Sequence, residues 1–182
     1  MTGVGPIYFV TGTPGSGKST TCSALMQRFP LGVHVSVDTL RDQVVSGFRL
    51  PEFSWPDEVD EQFRLARESA SHMARLYAVA GFAVAIDDCL GPQREPRIDT
   101  VHYGSLLEDP EVHRVLIRPR LDVVVDRNRS RGNGLVEFLE SAIPTLYDVQ
   151  AAGLTEGWKI IDTSELSVDQ TVERIIAATV AP

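Results

Sequence analysis

The chain has 182 residues, 43% of them apolar and 23% charged, and a formal net charge of −8 at pH 7. That length buries a real core as one domain, 1–182, and the composition excludes disordered, fibrous and membrane-spanning classes. The acidic balance disfavours long nucleic-acid partners, which usually meet a basic stripe, without excluding a local basic groove.

Ile7-Tyr8-Phe9-Val10 predicts a buried strand over 6–11. It runs into Gly12-Thr13-Pro14-Gly15-Ser16-Gly17-Lys18-Ser19, which reads G-x-x-x-x-G-K-S, the phosphate-binding P-loop. The glycines let successive backbone N–H groups turn inward to a nucleotide's phosphates. Lys18 supplies a point charge for the β- and γ-phosphates, and the Ser19 hydroxyl ligates Mg²⁺. Thr20 follows on the same turn and joins this set. Cys22, Leu25, Met26 and Phe29 recur at helical spacing, so the loop feeds a helix whose N-terminus favours anions.

A second strand, 33–37, ends in Val37-Asp38-Thr39-Leu40-Arg41. Asp38 reads either as a helix N-cap or as the base that accepts the proton of an attacking hydroxyl. Arg41, three residues on, shares its helical face and serves to orient an acceptor or a phosphate. Residues 46–57 are irregular and aromatic: Phe48, Phe53 and Trp55 either wall an acceptor pocket or pin the loop to the core. A helix over about 58–80 places Phe63, Ala66, Ala70, Met73, Tyr77 and Ala80 on one stripe, with Gly81 to stop it.

The third strand, 82–87, ends in Ile86-Asp87-Asp88, four apolar residues before the acids, the form of a Walker B element. Asp87 is the metal-side carboxylate; Asp88 points the other way on an extended chain and faces the acceptor. After a fourth strand, 113–117, come Arg118, Arg120, Arg127, Arg129 and Arg131, five arginines in fourteen positions. They form either a solvated helix face or a lid that neutralises charge on a transferring phosphate, with Arg127 and Arg131 on one face. A fifth strand, 158–161, leads through Asp162-Thr163-Ser164, a turn or a contact for the nucleotide base. The last helix opens on a capping box, Ser167 and Gln170, and is expected to bury Val168, Val172, Ile175 and Ile176.

Strand and helix thus alternate throughout, which predicts a parallel sheet covered on both faces, with ligands beyond the carboxyl ends of its strands. Cys22 and Cys89 lack metal-ligand spacing and are expected to be reduced and unpaired. The four histidines (His34, His72, His102, His113) are scattered, with no pair at ligand spacing. No basic segment leads into an apolar one at the N-terminus, so cytoplasm is the expected compartment.

With the loop, Asp38, the double Asp and the arginine segment in order, the chain resembles small P-loop kinases of the shikimate, gluconate and chloramphenicol phosphotransferase type over nearly its whole length. Val37-Asp38-Thr39-Leu40 is most similar to the chloramphenicol phosphotransferase pattern. The Asp38-x-x-Arg41 pair is also similar to polynucleotide 5′-hydroxyl kinases, and zeta-toxin kinases share the layout. The resemblance implies a P-loop NTPase fold, a three-layer α/β/α sandwich on a five-stranded parallel sheet like that of nucleoside monophosphate kinases. It implies ATP with Mg²⁺, an arginine-bearing lid around 121–134, an acceptor flap around 46–57, and Asp38 as base. The acceptor-binding residues of shikimate and gluconate kinases have no clear match. The chain lacks the arginine-sensor region of a ring-forming AAA motor and the Asn-Lys-x-Asp motif that reads guanine. Three functions follow: phosphate transfer to a small-molecule hydroxyl, phosphorylation of a polynucleotide 5′ end, or a non-enzymatic ATP-binding switch.

Overall fold

A computed structural model describes residues 3–51, 56–91, 101–130 and 136–179, with the backbone alone at 101 and 136–139. In chain order the elements are β1 (Ile7–Thr11), α1 (Lys18–Met26), β2 (Gly32–Ser36), α2 (Val37–Arg41), α3 (Asp57–Val79), β3 (Ala83–Asp88), a 3₁₀ turn (Val101–Tyr103), α4 (Ser105–Glu108), β4 (Val112–Ile117), α5 (Leu121–Ser130), α6 (Val136–Gly153), β5 (Trp158–Ile161) and α7 (Val168–Thr179). Every strand pair is parallel and the order is β2-β3-β1-β4-β5. The five expected strands are therefore all present within a residue or two of their expected bounds.

The strand period of two divides the core into two layers. Phe9, Val84, Ile86 and Leu116 face one side and meet Val59, Phe63, Ala66, Ala70 and Ala74 of α3. Tyr8, Val10, Ala85 and Val115 face the other and meet Cys22 and Leu25 of α1 and Val172 and Ile175 of α7. This is the three-layer α/β/α sandwich. Because β1 is central, with β3 on one side and β4 on the other, the chain leaves it at the point where the strand order reverses. Such sheets open a ligand crevice there.

Two details of the apolar pattern differ from expectation. On α3 the buried stripe continues from Ala70 to Ala74 and Ala78, whereas Tyr77 and Ala80 are exposed. Small alanines bring the second half of the helix close to the sheet, and Tyr77 instead packs edge-on against Phe82 at 5.4 Å between ring centres. That contact belongs to the helix stop. Gly81, at φ 88°, donates to the Ala78 carbonyl and Phe82 to that of Tyr77, the paired bonds of a Schellman ending. On α7, Val168 is exposed and Ile176 only half-buried, while Val172 and Ile175 carry the packing. The capping box is present: Ser167 N–H donates to Gln170 Oε1 and Gln170 N–H to Ser167 Oγ.

Among the described residues no helix is long and apolar enough to cross a membrane.

Candidate active site

The P-loop bends tightly between β1 and α1. Gly15 has φ 85°, and a side chain there would meet the Val124 carbonyl of α5 at 2.6 Å, so the loop is pressed against that helix. Gly17 has φ 97° and would meet nothing, so its surface is open. Thr21 N–H is the first to bond back, to the Gly17 carbonyl, which leaves the N–H groups of Lys18, Ser19 and Thr20 for a bound anion. Lys18 lies nearly buried along the loop, its Nζ donating to the Thr13 carbonyl at 3.3 Å. Ser19 and Thr20 are exposed.

Asp87, at the end of β3, is almost fully buried on the α1 side of the sheet. Burial pushes its carboxyl up, but hydrogen bonds from His34 and Ser19 and the charge of Lys18 outweigh this and hold it below the usual range. The His34 contact, Nε2 to Asp87 Oδ2 at 2.8 Å, was not foreseen, since His34 precedes Asp87 by 53 positions and follows no ligand spacing. Ser19 and Asp87 thus stand close together at the P-loop end of the sheet.

Asp38 is not an N-cap. Ser36 takes that place, its Oγ accepting from Thr39 N–H at 3.4 Å, and Asp38 stands inside the first turn of α2. The residue is exposed, yet the surrounding protein removes enough water to raise its carboxyl above the ordinary value. Lys18 and Arg41 oppose that rise, and Asp88 and Asp87 add to it. Arg41 behaves differently from its neighbour. It is buried, with its guanidinium 4.0 Å from the centre of the Phe63 ring and 5.2 Å from that of Phe48, and Nη2 donates to the Arg49 carbonyl at 2.7 Å. Gln62 completes the attachment, accepting from Arg49 N–H and donating to the Gly47 carbonyl. Within the segment expected to form the flap, 46–57, residues Gly47 and Arg49 are therefore tied to α2 and α3.

Asp88 faces the opposite layer from Asp87, as alternation demands. It is buried and accepts from Arg67 Nε and from the Tyr103 hydroxyl, both at 2.8 Å to Oδ2. Neither Arg67 nor Tyr103 carries a local sequence signal: Arg67 hides within the charged pattern of α3 and Tyr103 within a short turn.

On α5, Arg127 donates through Nη2 to the Thr163 carbonyl at 3.5 Å, which brings the arginine helix to the loop after β5. Arg129 turns away and pairs with Glu140 of α6 at 2.8 Å. Arg131, Phe53 and Trp55 lie outside the described residues. Asn128, which pattern reading passed over, is fully buried against Gly15.

Whether these residues suit a nucleotide is tested by their unused polar atoms. Ser16 Oγ, both amide atoms of Asn128 and Thr163 Oγ1 are buried without a hydrogen-bond partner among the described residues. Buried polar groups are normally satisfied, so atoms of this kind around a P-loop fit a polar ligand or water. Ser19 and Asp87 together fit a cation beside it.

A family model described as AAA domain matches residues 9–141, which contain the P-loop, Asp38, both β3 carboxylates and the α5 arginines. The chain belongs to this AAA domain family. Full-length likeness of this AAA domain protein is to compact proteins with the P-loop kinase fold. The tunicamycin resistance protein of Deinococcus radiodurans superposes with a TM-score of 0.64 at 21% identity, covering 98% of this chain and 97% of that one. Shikimate kinase from Acinetobacter baumannii, solved in complex with shikimate, gives 0.67 at 16% identity over 96% and 92%. Among curated proteins, adenylate kinase isoenzyme 1 of Caenorhabditis elegans is 48% identical over 42 residues, 23% of this chain and 20% of that relative's length. The fold is that of ATP-dependent kinases.

Proposed function

We propose that the chain is one kinase domain that transfers the γ-phosphate of ATP to a hydroxyl of a small molecule. The observation that carries this is Asp38, an exposed carboxylate following β2 within the field of the P-loop lysine, where loss of water raises its carboxyl above the ordinary value. The acceptor oxygen attacks the γ-phosphorus and the bond to the β-phosphate oxygen breaks. The acceptor's proton passes to Asp38, and ADP leaves.

Gly12 to Thr20 cradle the phosphates, and Lys18 draws charge off the β- and γ-groups. Ser19 and Asp87 would hold Mg²⁺, whose charge neutralises the triphosphate when bound. Arg127, already tied to the loop after β5, supports the nucleotide side, and Arg131 four residues on is read as its partner over the transferring group. Arg41 and Asp88 border the acceptor. Each retains a buried polar atom, Nε and Oδ1, without a partner among the described residues, the kind of atom that a polar acceptor satisfies. Trp55 is assigned to the same pocket on its sequence position.

Two neighbours in fold support a small acceptor, one named for resistance to tunicamycin and the other solved with shikimate. The unpaired cysteines, Cys22 and Cys89, agree with a reducing cytoplasm. A transfer screen with γ-labelled ATP and Mg²⁺ tests the reading, setting hydroxylated antibiotics and sugars beside nucleosides and 5′-hydroxyl oligonucleotides. Label on a small molecule is expected. Label only on oligonucleotides would make the chain a polynucleotide end kinase, and tight ATP binding without transfer would make it a switch.

A further inference from the structure

Cys22, His34 and Asp87 come from three different elements, yet their ligand atoms all lie within 4.8 Å of one another. Cys22 is one turn beyond Ser19 on α1 and is fully buried. His34 stands on β2, the edge strand, with 23% of its side chain exposed, and so opens the cluster to solvent. Cys22 packs in the apolar layer beneath α1, yet its Sγ also lies near an imidazole and a carboxylate.

The three donors are sulfur, nitrogen and oxygen. Mg²⁺ takes oxygen ligands, whereas Zn²⁺ and similar cations take thiolate, imidazole and carboxylate together. Bond lengths of about 2.0–2.3 Å place tetrahedral donors roughly 3.3–3.7 Å apart. The His34–Asp87 pair, at 2.8 Å, must open slightly, and the thiol must close on it by about 1 Å, movements within reach of side-chain rotation.

We propose that Cys22, His34 and Asp87 form an inhibitory site for a thiophilic divalent cation such as Zn²⁺. On binding, the Cys22 thiol releases its proton to solvent and its sulfur bonds the cation. His34, whose Nε2–H meets Asp87 in the free protein, exchanges that proton with solvent for one on Nδ1, and so presents the Nε2 lone pair. Asp87 is drawn from Ser19, so this cation and Mg²⁺ oppose each other reciprocally. That last consequence rests on Asp87 as the Mg²⁺-side carboxylate; the site itself does not.

Co²⁺ added to the full chain without nucleotide supplies the test, because a thiolate ligand gives it a near-ultraviolet charge-transfer absorption. One equivalent should develop the band, and Zn²⁺ should displace it. Cys22→Ser should lose it, Cys89→Ser should keep it, and His34→Gln should weaken binding more than about tenfold. Cys22→Ser should also retain turnover with Mg²⁺ while resisting Zn²⁺. Should Cys22→Ser fail to fold by circular dichroism, the His34→Gln titration decides alone. No band in the wild-type chain, or a band that survives Cys22→Ser, overturns the proposal. A Cys22-dependent band with Zn²⁺-insensitive turnover overturns the inhibitory role, leaving a cation site alone, and removes Asp87 from the Mg²⁺ reading. Absence of any phosphate transfer bears on the proposed function, and the band then stands by itself.

Discussion

Asp87 and Asp88 adjoin in the chain but serve opposite layers: Oδ2 of the first meets His34 and Oδ2 of the second meets Arg67, each at 2.8 Å. One strand ending thus places a carboxylate beside the P-loop and another in the interior against α3. The division follows from strand geometry alone, but the partners do not.

The Arg67–Asp88 pair is almost fully buried, so removing one member strands the other's charge. Arg67→Ala is expected to lower unfolding stability by about 3–5 kcal/mol, read from urea denaturation. A change within a few tenths of a kcal/mol would mean that the pair is not formed in solution.

Asp38→Asn should reduce turnover by about 10²- to 10⁴-fold while ATP affinity is kept, because the base is lost and the phosphate cradle is not. The same variant should raise the melting temperature at neutral pH. Asp38's carboxyl is raised in the folded chain, so its contribution is fully present below its unfolded value of 3.8 and is lost as pH rises through the folded value. At neutral pH the charge opposes folding, and the neutral amide relieves it. A melt that falls instead would contradict the raised carboxyl.

The pH dependence of kcat/KM should show an acid limb above the ordinary aspartate range, rising as Asp38 loses its proton, and Asp38→Asn should abolish that limb. Asp87 has the opposite sign. Its folded value is depressed, so the stability it adds is present above its unfolded value and lost as pH falls through the lowered one. Stopped assays across the acid range, with a parallel stability series, separate the two residues.

Lys18→Met removes the positive charge that lies along the P-loop, and turnover is expected to fall by about 10²- to 10³-fold. Circular dichroism should show an intact fold, since Nζ bonds to the nearby Thr13 carbonyl, within the loop itself. Full activity in this variant would show that the loop amides alone hold the phosphates.

Gly15→Ala tests the contact between the loop and α5. Its φ of 85° and the Val124 carbonyl 2.6 Å from the new Cβ predict a loss of about 1–3 kcal/mol together with weaker nucleotide binding. Gly17→Ala, strained but meeting no atom, should perturb α5 less; comparing melts and ATP titrations of the two distinguishes packing from strain.

Much of this protein is local in origin. The run Ile7–Val10, the P-loop glycines, the Gly81 stop and the Ser167 box each act through bonds within a few residues, so strands, helix ends and the phosphate cradle are legible in order along the chain. Asp38, Asp87 and Asp88 were legible for the same reason, each ending or following a strand. What the chain order could not supply is pairing across the sheet. Only the β2-β3-β1 neighbourhood places His34 on Asp87 and Cys22 beside both, only the approach of α3 gives Asp88 to Arg67, and only the docking of α5 buries Asn128 behind Gly15. Periodicity reports which face a residue takes; which residue waits on the facing element depends on long-range packing, where separations of tens of positions leave no spacing to read.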